Sequence, residues 1–313
     1  MPFKQSRADA AGNNIGVAMQ DLAGIDFQRL RISRPIPYRQ IAASILLFVF
    51  LIFIAHAFWV GAIEWHYVSD YLFSAPILKG VRGTIVMTIC AMVIGIFLGT
   101  AVAMMRMSAN PALRWAATGY IWLFRGVPAL LQLLLWFNLA LIFPTLSLFG
   151  FFPVNTVDVM TPFVAALLGL GIQQGAYTAE VVRGGILSVD RGQMEAAQSI
   201  GMTRLRAMLT IVLPQAMRVI VPPIGNETIG MVKLTSLASV IQYSEVLRTV
   251  GDVYYANSRV IELLIVAGIW YMVIVTVLSI GQSYIEKYFS KGWGRAAEAP
   301  KALPDGPAAM GAA

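Results

Sequence analysis

Long unbroken apolar stretches alternate along this chain with short polar segments. Six stretches reach the length of about 20 residues that a helix needs to cross a bilayer at 1.5 Å per residue. They are 41–63, 83–105, 116–143, 162–182, 215–241 and 261–285. The pattern predicts an all-α polytopic membrane protein with about six transmembrane helices. Alternating ten-residue strands are absent from the sequence, and lipid admits only helices or closed barrels. The first stretch follows a long polar segment and is too long for a signal-peptide core. It is expected as an extra helix.

The organisation expected is therefore a cytoplasmic tail at 1–40 and an extra helix with its outer loop at 41–79. A transmembrane core at 80–288 contains a loop at 183–214, and a second cytoplasmic tail occupies 289–313. No internal repeat marks an inverted-repeat carrier.

Composition sharpens the class. The chain has 313 residues, 58% hydrophobic and 12% charged, against about 25% charged in ordinary soluble domains. A soluble enzyme, a coiled coil and a disulfide-stapled scaffold are excluded. The single cysteine, Cys90, lies in an apolar run and reads as a small hydrophobe. The net charge of +7 does not point to nucleic acid, because the basic residues flank the spans.

With the N-terminus inside, seventeen of these basic residues fall on the cytoplasmic side: Lys4, Arg7, Arg29, Arg31, Arg34, Arg39, Arg106, Arg114, Arg183, Arg191, Arg204, Arg206, Arg218, Lys287, Lys291, Arg295 and Lys301. Three, Lys79, Arg248 and Arg259, fall outside. That asymmetry predicts two cytoplasmic termini.

Residues 183–214 carry the densest pattern. Asp190 is placed to cap a short helix, with Glu195 expected in its first turn. Ala196 and Ala197 keep its surface thin, so that another body can approach closely. Gly201 permits a positive φ and ends the helix. Pro214 is expected near the first turn of the next span.

The run Glu195-Ala196-Ala197, Gly201 and Ile211-Val212-Leu213-Pro214 resembles the cytoplasmic signature of permease subunits of bacterial ABC importers. Phe124-Arg125-Gly126-Val127-Pro128 with Leu130-Leu131-Gln132 is similar to a motif of the polar amino-acid branch, with Val127 where threonine is usual. Gly175-Ala176-Tyr177-Thr178-Ala179-Glu180 and Lys233-Leu234-Thr235-Ser236-Leu237 are similar to further segments of that branch. Leu234 stands where an acid is usual.

The resemblance covers roughly 80–285 and implies the histidine, glutamine and arginine uptake branch in the bacterial inner membrane. It implies a coupling helix that docks on a separate ATPase, with ATP and magnesium held there. It also implies a second permease subunit, identical or paralogous, and an extracytoplasmic amino-acid-binding protein.

The chain shows no catalytic chemistry of its own. It has no Gly-Lys dipeptide and hence no Walker A loop. His56 and His66 lack partners at metal-ligand spacing, and His66 with Glu64, Trp65 and Tyr67 reads as an interfacial belt. No serine or cysteine has a triad context.

Polar groups inside spans are costly and need a reason. Gln173, Tyr177 and Glu180 recur at i, i+4 and i+7 on one helix face. They either line a solute path or join helices. Glu227 and Lys233 cannot pair with each other at a six-residue spacing. Pro222, Pro223, Gly225 and Gly230 are expected to kink or break that span. Asn226, Thr235 and Ser236 add hydrogen-bonding capacity for an α-amino or α-carboxylate group. Arg125 either closes an inner gate by pairing with Glu180 or snorkels to headgroups.

The reading is an alternating-access permease. Its rivals are an ion-coupled secondary transporter working through Glu227 and Lys233, and a membrane scaffold.

Overall fold

The computed structural model describes residues 38–148 and 151–290. Both expected tails lie almost wholly outside these residues, and so do Lys4, Arg7, Arg29, Arg31, Arg34, Lys291, Arg295 and Lys301. The chain divides into two compact units, with the boundary between Ala62 and Ile63.

The first unit contributes one described helix, α1 (Tyr38–Val60), with no buried residue. Twenty-three residues with apolar side chains on every face suit lipid and not water. The second unit begins at Ile63.

The second unit starts with α2 (Trp65–Leu72) and α3 (Ala75–Arg106). Next come α4 (Pro111–Gly126) and α5 (Ala129–Phe137), then a small hairpin of β1 (Thr145–Leu148) and β2 (Phe151–Asn155). The chain continues through α6 (Pro162–Leu187), α7 (Arg191–Ser199), α8 (Leu213–Leu234), α9 (Val246–Asn257) and α10 (Val260–Ser290). The antiparallel hairpin, with Thr145 opposite Asn155, is an addition to the expected all-helical plan.

Among the described residues, four helical stretches are long and apolar enough to cross a membrane, or up to five when one bent pair counts as a span. They are Tyr38–Val60, Ala75–Arg106, Arg204–Ile241 and Val260–Phe289. The bent pair is α4 with α5, at 101°, where the sequence pattern suggested one continuous span at 116–143. Pro128 explains the elbow. It lacks an N–H and pushes Val127 to extended backbone, ψ 131°. Gln132 Nε2 staples the bend by donating to the carbonyls of Phe124 (3.1 Å) and Val127 (2.9 Å).

The expected span at 162–182 is helix α6, 26 residues long. Its glutamines and charges keep it below the apolarity of the other four. It is also buried by protein, so it does not need a lipid-facing surface.

Helix α3 is the spine of the unit. Ala91, Gly95, Gly99 and Ala103 recur every four residues on its buried face. Gly171, Gly175 and Ala179 form the matching ladder on α6. Small residues let two helix backbones approach closely in a membrane. A Cβ on Gly99 would stand 2.7 Å from the Gly175 carbonyl, which is closer than real Cβ contacts.

Three apolar clusters follow one another along α3. The first joins Ile77 and Val81 to Val246 and Leu263. The second joins Met87 and Ala91 to Leu170 and Met231. The third joins Val102 and Ala103 to Ile121, Val182 and Ile220.

Helix α8 runs unbroken through Pro222 and Pro223, where a kink or break was expected. Pro214 is the second residue of α8, near its first turn as expected, and helical structure precedes it from Arg204. A π turn at Met208–Val212 comes directly before α8. It absorbs the backbone donor that Pro214 lacks. The span ends in a 3-10 turn, Thr235–Ile241, closed by Gln242 at φ 65°.

Candidate functional site

Capped loop and polar membrane cluster

The loop after α6 is built as a capped, rigid knob. Asp190 Oδ1 accepts the Gly192 N–H at 2.6 Å and starts α7. At the other end the Gly201 N–H reaches the Gln198 carbonyl (2.9 Å), and the Met202 N–H reaches the Ala197 carbonyl (3.1 Å). With Gly201 at φ 85° this is a Schellman ending, which needs a residue without a Cβ. Ala197 is buried, while Ala196 and Glu195 are exposed. Glu195 stands one turn deeper than expected, since α7 begins at Arg191. Thr203 caps the next turn through the Arg206 N–H. Gln215 Nε2 donates to Gln193 Oε1 at 3.4 Å and ties α7 to α8.

Within the spans, the structure splits the predicted stripe on α6. Gln173 is buried, and its Oε1 has no hydrogen-bond partner among the described residues. Tyr177 is 37% exposed, with the Arg125 guanidinium 5.1 Å from its ring centroid. Glu180 binds Arg106 of α3, and Arg183 Nη2 at 2.8 Å. The Arg125–Glu180 pair, one of the two alternatives for Arg125, does not form: Glu180 takes Arg106 and Arg183, and Arg125 lies over the Tyr177 ring.

Glu227 is held from the adjacent stripe of α6, which sequence reasoning missed. Gln174 Nε2 donates to Glu227 Oε2 at 2.6 Å, and also meets Thr178 Oγ1 at 3.1 Å. Thr178 Oγ1 donates to the same carboxylate oxygen at 3.4 Å. The available signal was the i, i+4 pair Gln174 and Thr178. Adjacent glutamines left the face ambiguous.

The remaining polar residues of this span do not join that cluster. Asn226 and Lys233 are exposed two turns apart on one side of α8. Thr235 is buried, its hydroxyl donating to the Val232 carbonyl at 2.7 Å. Ser236 does the same to the Lys233 carbonyl at 2.7 Å.

A fully buried acid, Glu245, lies between the last two spans and was not singled out from sequence. It is 0% exposed and caps α9 by accepting from Leu247 N (2.9 Å) and Arg248 N (2.7 Å). Tyr271 of α10 donates to it at 2.5 Å. Burial pushes its carboxyl above the usual range, and these hydrogen bonds oppose that rise.

At the beginning of the unit, Glu64 takes the Arg259 guanidinium, with His66 Nε2 at 3.9 Å from its other oxygen. No cluster of three metal-ligating side chains occurs among the described residues.

A helical body with membrane-length apolar helices carries a polar cluster between α6 and α8 and a capped helix, α7, in the loop that joins them. The chain belongs to the family described as the binding-protein-dependent transport system inner membrane component, whose pattern matches residues 91–291.

It is 40% identical over 258 residues to the arginine transport system permease protein ArgU of Corynebacterium glutamicum, covering 82% of this chain and 81% of that one. It is 36% identical over 228 residues to the L-cystine transport system permease protein TcyB of Bacillus subtilis, covering 72% and 91%. Among solved structures it resembles an amino acid ABC transporter crystallised with histidines, at TM-score 0.62 and 33% identity, over 71% of this chain and 98% of that one. The chain is therefore a multi-pass permease subunit of an ATP-driven importer, and nothing favours the ion-coupled rival.

Proposed function

We propose that this subunit carries a polar amino acid across the bacterial inner membrane by alternating access, with both termini in the cytoplasm. An extracytoplasmic binding protein delivers the solute. A second permease subunit, identical or paralogous, completes the path. ATP and magnesium act on partner ATPase subunits, and α7 passes their motion into the spans. The arginine and cystine relatives support the substrate class.

The observation that carries the reading is the knob itself. Asp190, Glu195, Ala196, Ala197 and Gly201 form a capped helix that leads through the π turn directly into the span bearing Glu227. A lever joined to a span that holds a half-buried carboxylate can move that span when its outer end is gripped. Energy enters through the different affinities of each partner for the two states.

Gln173, Tyr177, Glu180, Asn226, Glu227, Lys233, Thr235 and Ser236 are proposed to line or shape the path. Arg125, above Tyr177, is proposed to stand at its inner mouth.

The test is ATP hydrolysis and uptake by the complex that co-purifies with this chain, compared with Gly201→Asp. A side chain at φ 85° costs about 1–2 kcal/mol, and the new charge sits on the docking turn. Hydrolysis that no longer drives uptake is the expected result. Normal uptake in the variant overturns the coupling assignment, and a chain that purifies without an ATPase overturns the class.

A further inference from the structure

A cleft of about 520 Å³ lies between α8 and α10, lined by Arg218, Val219 and Pro222 on one wall and Ser283, Glu286 and Lys287 on the other. Its size falls within the range of about 300–1,000 Å³ usual for small-ligand sites. It stands at the coupling-loop end of α8, one turn beyond Gln215, which bonds to α7.

Its chemistry is unusual for a gap between spans. Arg218 and Glu286 carry opposite charges on facing walls and do not pair with each other. Glu286 Oε1 is held by Gln282 Nε2 at 2.9 Å, and the same amide nitrogen donates to the Pro222 carbonyl at 2.9 Å. The acid is thereby fixed in place instead of swinging towards a cation. On the α8 wall, Pro222 and Pro223 have no N–H, so the Arg218 and Val219 carbonyls lose their usual donors four residues on. The cleft walls thus carry a carboxylate, a serine hydroxyl and the Arg218 guanidinium.

We propose that this cleft binds a zwitterionic group, one that carries an ammonium and an acid a few ångströms apart. The ammonium meets Glu286, and the acid meets Arg218. Two sources share this chemistry: a free α-amino acid from the water, and the headgroup of an ethanolamine phospholipid. Either occupant bridges α8 to α10 and favours the arrangement of these two helices seen here. The site is separate from the Gln174–Glu227 cluster and does not depend on what that cluster carries.

The experiment places a reporter in the cleft. Ser283→Cys is made in a Cys90→Ala background and assembled with the partner ATPase. Labelling by a charged maleimide is then followed in phosphatidylcholine membranes. Arginine, glutamine, glutamate and cystine are added in turn, and a parallel sample contains phosphatidylethanolamine.

Protection by an amino acid, about tenfold at about ten times its dissociation constant, identifies the soluble source. Protection in the ethanolamine lipid alone identifies the headgroup. Either must vanish in Arg218→Gln and in Glu286→Gln. Labelling unaffected by every addition overturns the proposal. So does protection that persists in both variants, or that follows the ATPase alone. A failure of ATP-driven uptake, by contrast, touches only the functional reading above.

Discussion

Gln174 Nε2 lies 2.6 Å from Glu227 Oε2 and joins α6 to α8 inside the membrane. The acid is satisfied by an amide and a hydroxyl, not by a cation. Lys233, the nearest base along the sequence of the span, is exposed and takes no part.

Glu227→Gln keeps the size of the side chain and removes the charge. Uptake is expected to fall at least about tenfold, equivalent to ~1.4 kcal/mol, while the complex still assembles with its ATPase. Co-purification alongside transport in vesicles checks this. Loss of assembly instead assigns Glu227 to helix joining.

Gln174→Leu leaves the Glu227 charge but removes its strongest donor. A buried acceptor that loses its partner costs about 1–3 kcal/mol. The thermal midpoint of the purified complex is expected to fall, and uptake with it. Gln173→Leu is expected to raise stability or leave it unchanged, since the Gln173 Oε1 has no partner to lose among the described residues. Equal destabilisation by the two variants would remove the distinction between the two stripes.

Gly99→Val forces α3 and α6 apart, because the added Cβ meets the Gly175 carbonyl. Overpacking of this kind costs about 1–3 kcal/mol. The chain is expected to accumulate poorly in membranes, with Gly99→Ala intermediate. Immunoblots of membrane fractions read the ranking, and normal levels of Gly99→Val would contradict the close approach.

Asp190→Ala removes the α7 cap, worth about 1 kcal/mol, without touching the spans. ATP hydrolysis by the assembled complex is expected to persist, with less uptake per ATP. Asp190→Asn, which still accepts a hydrogen bond, is expected to restore the ratio.

Glu245→Gln trades a carboxylate with two acceptor oxygens for an amide with one. It cannot accept from the Leu247 and Arg248 N–H groups and Tyr271 as the acid does. The complex is expected to lose thermal stability, and Tyr271→Phe is expected to lose less. Similar midpoints for wild type and Glu245→Gln would remove this cap from the structural account.

Much of the capped loop at 183–214 was legible because capping is local chemistry. Asp190 two residues before Gly192, and Gly201 after the last helical turn, constrain backbone within a few residues. The single displaced element, Glu195, follows from where the helix begins. The small-residue ladders on α3 and α6 were present in the sequence as a spacing of four. Nothing local says which ladder meets which. The elbow after Gly126 was signalled by Pro128, yet the apolar run continues past it, and hydropathy has no term for direction.

Sequence alone determined that this chain lives in a membrane, where its main apolar stretches lie and which loop is a capped knob. Each of these depends on transfer free energy or on hydrogen bonds closed within a turn. Tertiary structure alone decided that Gln174 and not Gln173 holds Glu227, that Glu180 takes Arg106 and leaves Arg125 to Tyr177, and that α8 passes its two prolines unbroken. Those outcomes depend on the rotation and depth of one helix against another. Packing of small residues sets both, and the periodicity of a single helix does not contain them.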